Sequence, residues 1–426
     1  MYQNLRQKSS IIGQSQRFIG HCRGLFILLP STCYNSSLVK IMSPEIEATK
    51  EKLQPNKLLN NAVSFYIAKA VESGLFNQKP NPNIALGIIE HFSKDPFLEN
   101  KGDFLPKSES FKDDKDTVIS LAKVAFDAYS NKVDIKDLAR GKFDPRLIAY
   151  APQALLIYSY LPLLENLVEV SSGSLEYGYG KKLNRLQPHN SLAAGEMMKN
   201  ASKRISEEVA GIAVARSIVD NLAIFELGCG NASFSASVVE TFESRGLKAP
   251  YILATDLDPN TQITAKKLFQ EKGILNKLNL MKVDMGSAHD MQKAASKLTG
   301  KNILVHIGYI LHENRILATN TLNALTNIFG NENTIFAFSE YYSQDEVTGE
   351  VPLWFQTIHA FTQELFKRDE LVNFVNNYGL TSIGELTHNL RKDTGQIMNS
   401  TTFWEYKRNY FFVPKTKTSK ELKVIF

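Results

Sequence analysis

The sequence contains few cysteines and no long apolar run. Its three cysteines, Cys22, Cys33 and Cys229, are too few and too scattered to form a disulfide framework or a zinc site. No apolar stretch approaches the roughly 20 residues needed to cross a bilayer, so we expect no membrane partner. The hydrophobic content of 43% and the charged content of 22% are ordinary for a globular protein, and 426 residues are enough for two domains.

Beyond its first residues the chain also lacks a net charge. Of its 49 lysines and arginines, five lie in residues 1–44, where there is no acidic residue. The other 44 balance the 44 aspartates and glutamates. Because the body has no global charge bias toward phosphates, we do not expect it to bind nucleic acid, although a balanced total leaves a local basic groove open.

Both ends of the chain are basic. Residues 1–44 are predicted to be a leader without fixed structure, and the lysine-rich residues 414–426 a basic tail. One alternative is that Met42 is the true start, since an acidic segment typical of a helix start follows it. The serine-containing, acid-free composition of residues 1–42 also fits a mitochondrial transit peptide. If residues 1–42 are such a peptide, the protein is mitochondrial. Our first expectation is a leader that is not a working address, and hence a cytoplasmic protein.

Residues 45–200 are predicted to form a helical domain. Apolar residues recur at helical spacing within 58–71 and within 118–129. The residues between them, 92–116, are rich in Lys, Asp and Pro and are predicted to be a loop. The domain carries no glycine loop and no metal or nucleophile pattern, so we expect it to pack on the rest of the chain as a lid.

Two segments of this domain depart from straight helices. A helix is expected around residues 154–167, bent at Pro162. Tyr and Gly alternate in residues 176–182, which is poor helix material and predicts a loop. This loop either closes over a ligand with its aromatic side chains or is a surface connection.

The rest of the chain is organised around the stretch A-I-F-E-L-G-C-G-N-A-S at residues 223–233. The apolar run predicts a buried strand, the two glycines a tight turn, and the apolar spacing after them a helix. A dinucleotide fingerprint would need a third glycine where Ser233 stands, and Glu226 before the turn would repel a pyrophosphate. The same carboxylate favours a ligand that carries an ammonium or sulfonium group.

Strand and helix patterns alternate from residue 221 onward, which predicts a parallel sheet with helices on both faces. Strands are expected at 222–227, 251–255, 278–283, 302–308 and 334–339, helices at 232–245, 260–272, 287–298 and 315–328, and a final hairpin strand within 403–413. Carboxylates close the second and third strands at Asp256 and Asp284. Ligands of such sheets bind at the carboxyl ends of the strands. Asp256 can therefore accept hydrogen bonds from a ribose diol, and Leu257 can cover one face of an adenine.

These features resemble the motifs of the class I, Rossmann-like methyltransferases that use S-adenosylmethionine. E-L-G-C-G-N-A at residues 226–232 resembles their first motif, and T-D-L-D-P-N at residues 255–260 resembles their second. The resemblance implies an α/β fold with a seven-stranded core in residues 201–413 and S-adenosylmethionine as the cofactor. It implies that Asp284 faces the adenine amino group and that Met285 packs on the ring. The cofactor-binding residues that it implies are Glu226, Gly228, Gly230, Asp256, Leu257, Asp284, Met285 and His306.

The loop after the fourth strand lies beside the transferable methyl group in this family. His312 in that loop is the expected general base because its free pKa is near neutral, and Tyr309 can orient a substrate oxygen. The alternative is that His312 caps the next helix.

An aromatic-rich helix after the fifth strand carries His359 and Gln363 on one face. With the L-H-E exit of the fourth strand, it loosely resembles small-molecule and polyketide methyltransferases. His359 is thus a third catalytic candidate, and a histidine packed in the core is the alternative. Because some of those enzymes bind a divalent metal, His312, His359 and Gln363 are candidate metal ligands.

The resulting hypothesis is a small-molecule methyltransferase of secondary metabolism that acts on an oxygen, nitrogen or carbon acceptor, free or bound to a carrier. A protein or RNA methyltransferase is the enzyme alternative, although the N/D-P-P-Y/F tetrad of nucleic-acid amino-methylating enzymes is missing after the fourth strand. A further alternative is an inactive methyltransferase fold that binds a donor or partner without turnover. The sequence identifies neither the substrate nor the oligomeric state.

Overall fold

The computed structural model of the chain describes residues 55–80, 82–94, 107–178, 181–298, 301–330, 334–341, 353–361, 365–387 and 407–415. These residues belong to one compact unit that begins at residue 52. The predicted leader at 1–44 and Gln363 lie outside the described ranges. So do the first residues of the strand predicted within 403–413 and the tail beyond Lys415.

Helices make up most of the first half of the described chain and alternate with strands in the second half. They are α1 (Pro55–Glu72), α2 (Pro82–Lys94), α3 (Lys112–Asn131), α4 (Ile135–Ala139), α5 (Pro145–Ile148), α6 (Ala151–Ser159), α7 (Leu161–Glu165), α8 (Leu167–Ser171), α9 (Gln187–Ala215), α10 (Ser233–Ser244), α11 (Pro259–Glu271), α12 (Ala288–Ala295), α13 (Arg315–Phe329), α14 (Leu353–Ala360) and α15 (Arg368–Asn376). No helix within the described ranges is both long enough and apolar enough to span a membrane.

The described residues form a seven-stranded mixed sheet. Its strands are β1 (Leu222–Leu227), β2 (Tyr251–Asp256), β3 (Leu278–Lys282), β4 (Asn302–Gly308), β5 (Thr334–Tyr341), β6 (Leu380–Thr387) and β7 (Lys407–Pro414). They are ordered β3-β2-β1-β4-β5-β7-β6. The first five pair in parallel, whereas β7 runs antiparallel to both of its neighbours. The predicted α/β fold with a seven-stranded core is confirmed.

Side chains of the central strands alternate between two buried layers. On β1, Ala223, Phe225 and Leu227 pack in one apolar cluster, and Leu222 and Ile224 pack in the cluster on the opposite face. All six residues of this strand are buried. A parallel strand covered by helices on both faces has no solvent side, which explains why β1 is an unbroken apolar run up to Glu226.

Helix α14 follows β5 in sequence but packs among the N-terminal helices. Trp354, Phe355 and Ile358 of α14 belong to the same buried cluster as residues of α1 and α6. The backbone N–H of Trp354 donates to Asn60 Oδ1 on α1 at 2.8 Å. The helical layer is therefore built from the N-terminal helices together with a helix that follows β5 in the sequence.

The structure corrects two expectations about the helical region. Part of the loop predicted at 92–116 is helical, because α3 begins at Lys112 and a 3₁₀ helix precedes it at Ser108–Phe111. Acidic side chains in the first turn of α3 are favourable at a helix N-terminus, so this charged segment is a helix start. The helix expected to bend at Pro162 is instead divided into α6, α7 and α8, and Pro162 lies in the first turn of α7, where a proline is tolerated.

One further difference concerns a strand. Helix α9 covers residues 200 and 201, between which the domain boundary is expected, and that boundary stays a prediction. The patterns also missed β6, where the register shifts between Ser382 and Gly384. Such a bulge breaks the alternation by which strands are recognised.

A buried histidine joins three helices of the helical layer. His91 Nε2 lies 2.7 Å from Ser64 Oγ, and His91 Nδ1 lies 2.6 Å from Thr357 Oγ1. Because the Thr357 hydroxyl donates to the carbonyl of Leu353, it accepts from His91 Nδ1. In the neutral ring, Nε2 then accepts from the Ser64 hydroxyl. Burial lowers the pKa of His91 from 6.5 to about 3.

This histidine is expected to make the stability of the protein depend on pH. The unfolded chain, in which the pKa is not lowered, takes up a proton first as the pH falls. The stability that neutral His91 contributes is thus complete above 6.5 and is lost as the pH falls toward 3. Urea unfolding at about pH 7.5 and about pH 5 measures how much the free energy of unfolding decreases between the two pH values. This decrease should be about 2 kcal/mol smaller in His91→Gln than in the wild type. An equal loss in both proteins would contradict a buried neutral His91.

Candidate active site

A cavity of about 410 Å³ lies at the carboxyl ends of the parallel strands. The predicted cofactor and catalytic residues that the structure describes all line it: Glu226, Gly228, Gly230, Asp256, Leu257, Asp284, Met285, His306, Tyr309, His312 and His359. The volume lies within the range typical of small-molecule sites. Separate strand ends thus converge on one pocket, as expected for this sheet.

The glycine turn after β1 is braced by the carboxylate of β2. Gly228 and Gly230 have φ of +61° and +53°, values that L side chains rarely adopt. Asp256 accepts hydrogen bonds from the backbone N–H groups of Gly230 and Asp258, both at 2.9 Å. Burial raises the pKa of Asp256, although these backbone donors act in the opposite sense. Each carboxylate oxygen has a second lone pair, so the side chain can still accept from a ligand hydroxyl.

The neighbouring acids have separate tasks. Asp258 is the N-cap of α11 and accepts from Asn260 N–H at 2.8 Å, so it has a structural role that the sequence left open. Asp284 accepts from the backbone N–H of Gly286 at 2.8 Å while lining the cavity. Leu257 is partly exposed and Met285 is partly buried in the cavity wall.

Glu226 and His306 lie side by side on β1 and β4, where the register pairs them directly. Ser235 Oγ donates to one carboxylate oxygen of Glu226, and the other oxygen is 3.7 Å from His306 Nδ1. The His306 ring stacks on Phe234 with 3.7 Å between centroids. Its Nδ1 is buried and no donor or acceptor of the described chain hydrogen-bonds to it. This end of the cavity is therefore lined by a carboxylate and a histidine ring that lie against each other.

Helix α9 forms a wall of the cavity beside the glycine turn. Met198 and Ser202, one turn apart, line the cavity from this helix. Gly195 approaches Asn231 so closely that a Cβ at this position would lie 2.6 Å from Asn231 Nδ2. Asn231 Oδ1 in turn accepts from the backbone N–H and the hydroxyl of Ser233, the first residue of α10. The absence of a side chain at Gly195 lets the helix pack against the turn.

His312 is hydrogen-bonded to a carboxylate that the sequence analysis did not assign. His312 Nδ1 donates to Glu340 Oε1, and the backbone N–H of His312 donates to Glu340 Oε2 at 3.2 Å. Glu340 lies near the end of β5 and is fully buried. Because Nδ1 carries the proton, Nε2 presents a lone pair, and nothing in the described ranges hydrogen-bonds to it. The sequence feature that could have identified Glu340 is its position near a strand end, which it shares with Asp256 and Asp284.

The environment of His312 makes it a stronger base than a free histidine. Burial disfavours the imidazolium, but the charge of Glu340 and its hydrogen bond outweigh that effect and raise the pKa of His312. His312 does not cap the next helix, because the N-cap of α13 is Asn314, whose side chain accepts from Ile316 and Leu317. The cap alternative for His312 is therefore wrong.

The other two catalytic candidates, Tyr309 and His359, line the same cavity as His312. The ring of His359 lies 5.9 Å from that of His312, and the rings of Tyr309 and Tyr341 are 4.5 Å apart. Tyr309 has φ of +60°, an uncommon conformation for a side-chain-bearing residue. Burial raises the pKa of the Tyr309 hydroxyl far above its ordinary value, so the group stays protonated.

An ion pair that the sequence analysis also missed connects this region to the segment before α9. Arg185 donates to Glu313, the neighbour of His312, and to Tyr160 Oη at 3.1 Å. Arg185 lies close to the Tyr-Gly segment, whose Tyr177 forms a β-bridge with Leu183.

The described residues do not bring three metal-ligating side chains together. His312 Nδ1 is engaged by Glu340 and His359 Nδ1 by the carbonyl of Phe355, and Gln363 lies outside the described ranges. The described residues thus show no metal site, and the predicted set of His312, His359 and Gln363 stays a prediction.

Comparison with solved structures identifies the fold. The DszA carbon methyltransferase is 12% identical, with a TM-score of 0.51 over 87% of this chain and 93% of that one. The CurJ carbon methyltransferase is 10% identical, with the same TM-score and the same coverage. The chain has the class I methyltransferase fold. No protein-family model and no curated protein sequence matches it.

The contact between α9 and the glycine turn gives a test of the cofactor side. Gly195→Ala should displace Asn231 and its hydrogen bonds to Ser233. Because loss of such a helix-start contact costs about 1 kcal/mol, affinity for S-adenosylmethionine should fall about fivefold by calorimetry. The matched control is Gly211→Ala on the same helix, where a Cβ meets nothing within 4 Å. The control should bind normally, and equal affinities for both variants would show that α9 does not shape this site.

Proposed function

We propose that the protein transfers a methyl group from S-adenosylmethionine to a small-molecule acceptor, with His312 as general base and Glu340 as its positioning partner. The observation that carries this proposal is the His312–Glu340 hydrogen bond on the wall of the cavity that also contains the glycine turn. A glycine turn alone fits many α/β proteins. A base with a raised pKa beside it supports proton removal in the same pocket.

The charges of the cavity fit this cofactor. The charged residues that line it in the described ranges are Arg185, Glu226, Asp256, Asp284 and Glu313. Arg185 is paired with Glu313, which leaves three carboxylates without a cationic partner in the wall. S-adenosylmethionine carries a sulfonium and an ammonium against one carboxylate, so its net positive charge is favourable there.

The residues of the chain have distinct parts in holding the cofactor. Asp256 would accept the ribose hydroxyls, Leu257 and Met285 would cover the adenine, and Asp284 would accept from its amino group. Glu226 and His306 would face the methionine portion. When bound, S-adenosylmethionine supplies an electrophilic methyl group.

The presence of a base limits the expected acceptor groups to those that must lose a proton before they react. A neutral amine is already nucleophilic, whereas a hydroxyl or an activated C–H group becomes a good nucleophile only when a base removes its proton. His312 Nε2 would take that proton, and Glu340 would stabilise the imidazolium through Nδ1. The two similar structures are named carbon methyltransferases, which supports a carbon acceptor.

The helical region would act as a lid. Helix α9 and Tyr160 line the cavity, and His359 reaches it from α14, which packs among the N-terminal helices. Covering the reacting groups excludes water and strengthens the electrostatic interactions among them. A covered pocket of this size is also suited to a small molecule rather than to a folded protein or RNA.

The cofactor assignment is tested by calorimetry with S-adenosylmethionine and S-adenosylhomocysteine. The intact protein should bind both at one site. Asp256→Ala should weaken binding by roughly ten- to a hundredfold, because hydrogen bonds to a charged acceptor contribute about 1.5–3 kcal/mol. Asp258→Ala is the matched control, since it removes a helix cap two residues away and should lower stability without changing affinity. Well-folded protein that binds neither compound would refute the proposal.

The role of His312 as general base is tested by measuring turnover. The substrate is the compound that the wild-type protein methylates when it is incubated with fractions of a cell extract. His312→Ala should lower turnover by about a hundredfold or more while S-adenosylhomocysteine affinity stays the same. Since a base must be unprotonated, wild-type activity should rise with pH through a midpoint above the ordinary histidine value. Glu340→Gln should move that midpoint to lower pH and reduce turnover. Full turnover in His312→Ala would remove His312 from the mechanism.

A further inference from the structure

His359 is a cavity-lining histidine whose protonation state is set by its own helix. Its Nδ1 lies 2.8 Å from the carbonyl oxygen of Phe355. Because a carbonyl only accepts, Nδ1 carries the proton and Nε2 carries a lone pair. Burial, together with the neighbouring His312, lowers the pKa of His359 to about 3. The lowered pKa favours a neutral ring at physiological pH and makes His359 a weaker base than His312.

None of the residues that the structure describes hydrogen-bonds to Nε2 of His359. The Nδ1 edge is turned to the carbonyl of its own helix, so Nε2 points away from α14, on the side where the ring lines the cavity. The residue is 3% exposed, and within the described ranges no donor reaches Nε2. A ring nitrogen that lines the cavity and receives no hydrogen bond from the described residues is available to accept one from a ligand donor.

His359 also lies at a distance from His312 that one small molecule can bridge. The two ring centroids are 5.9 Å apart. Nε2 is unprotonated in His359, and it becomes so in His312 when the imidazolium loses its proton. The cavity wall has more carboxylates than cations, as described above, so an anionic acceptor would be repelled. The ligand that fits is uncharged and carries a hydrogen-bond donor near the atom that reacts.

We propose that His359 Nε2 is an acceptor-substrate subsite that takes the hydroxyl or amide N–H of an uncharged substrate, adjacent to the atom that His312 deprotonates. The subsite rests on the proposed methyl transfer and specifies its substrate class. His359 exchanges no proton: it accepts one hydrogen bond from the substrate and keeps its own proton on Nδ1. A substrate without a donor leaves Nε2 unsatisfied and binds more weakly.

The test uses phenol and toluene, two probes of nearly the same shape, of which only phenol donates. Each is titrated by NMR into protein saturated with S-adenosylhomocysteine. Wild type should bind phenol about tenfold more tightly than toluene, since an unsatisfied buried acceptor costs about 1–3 kcal/mol. His359→Leu should lose the preference, and His359→Gln, whose amide oxygen accepts, should retain part of it.

His91→Gln is the matched control, because His91 contacts Thr357 on the same helix but does not line the cavity. It should keep the full preference for phenol. If His359→Leu does not fold, wild type labelled with ¹⁵N-histidine decides: phenol should shift the Nε2 resonance of His359 and toluene should not.

Three results would overturn the subsite. They are equal or undetectable binding of the two probes to wild type, a preference that survives in His359→Leu, and an Nε2 resonance that phenol leaves unchanged. Failure of the folded protein to bind S-adenosylhomocysteine is a different result, since it counts against the proposed methyl transfer itself.

Discussion

The register between β4 and β5 places the base beside its carboxylate. Gly308 pairs with Ser339, and the next residue, Tyr309, donates its backbone N–H to the carbonyl of Ser339 at 2.7 Å. The left-handed conformation of Tyr309 then turns the chain back, so that His312 lies against Glu340. A shift of one residue would turn the side chain of Glu340 to the opposite face of the sheet and leave His312 without its partner. The candidate chemistry therefore depends on strand pairing.

Buried carboxylates impose a second constraint, because a charge without partners in the interior is strongly unfavourable. Glu340 is satisfied by His312 and by the backbone N–H of Tyr341 at 3.0 Å. Asp256 is satisfied by the N–H groups of Gly230 and Asp258. In both cases the hydrogen bonds that satisfy the carboxylate also order the loop beside it. Structure and proposed function thus share the same hydrogen bonds.

The helical layer contributes His359 to the part of the cavity where we propose that the acceptor substrate binds. His359 belongs to α14, which lies after β5 in sequence yet packs with α1 and contacts His91 of α2 through Thr357. A histidine whose Nδ1 is held by its own helix and whose ring is buried stays neutral, in contrast to His312, whose pKa is raised by Glu340. Two histidines in one cavity consequently have opposite acid–base behaviour.

Local patterns predicted the parallel strands, the glycine turn and the acids Asp256 and Asp284, because buried strands, tight turns and strand-end carboxylates each leave a mark within a few residues. They did not find Glu340 as the partner of His312, the Arg185–Glu313 pair or β6, and they left the tasks of Asp258 and His359 open. Those depend on residues far apart in sequence: Glu340 meets a loop 28 positions away, and Arg185 meets Glu313 across 128. By itself the sequence determined which elements form and which edge of the sheet holds the polar side chains. Only the tertiary structure decided which of those side chains touch, because pairing, burial and pKa shifts arise when separate elements pack together.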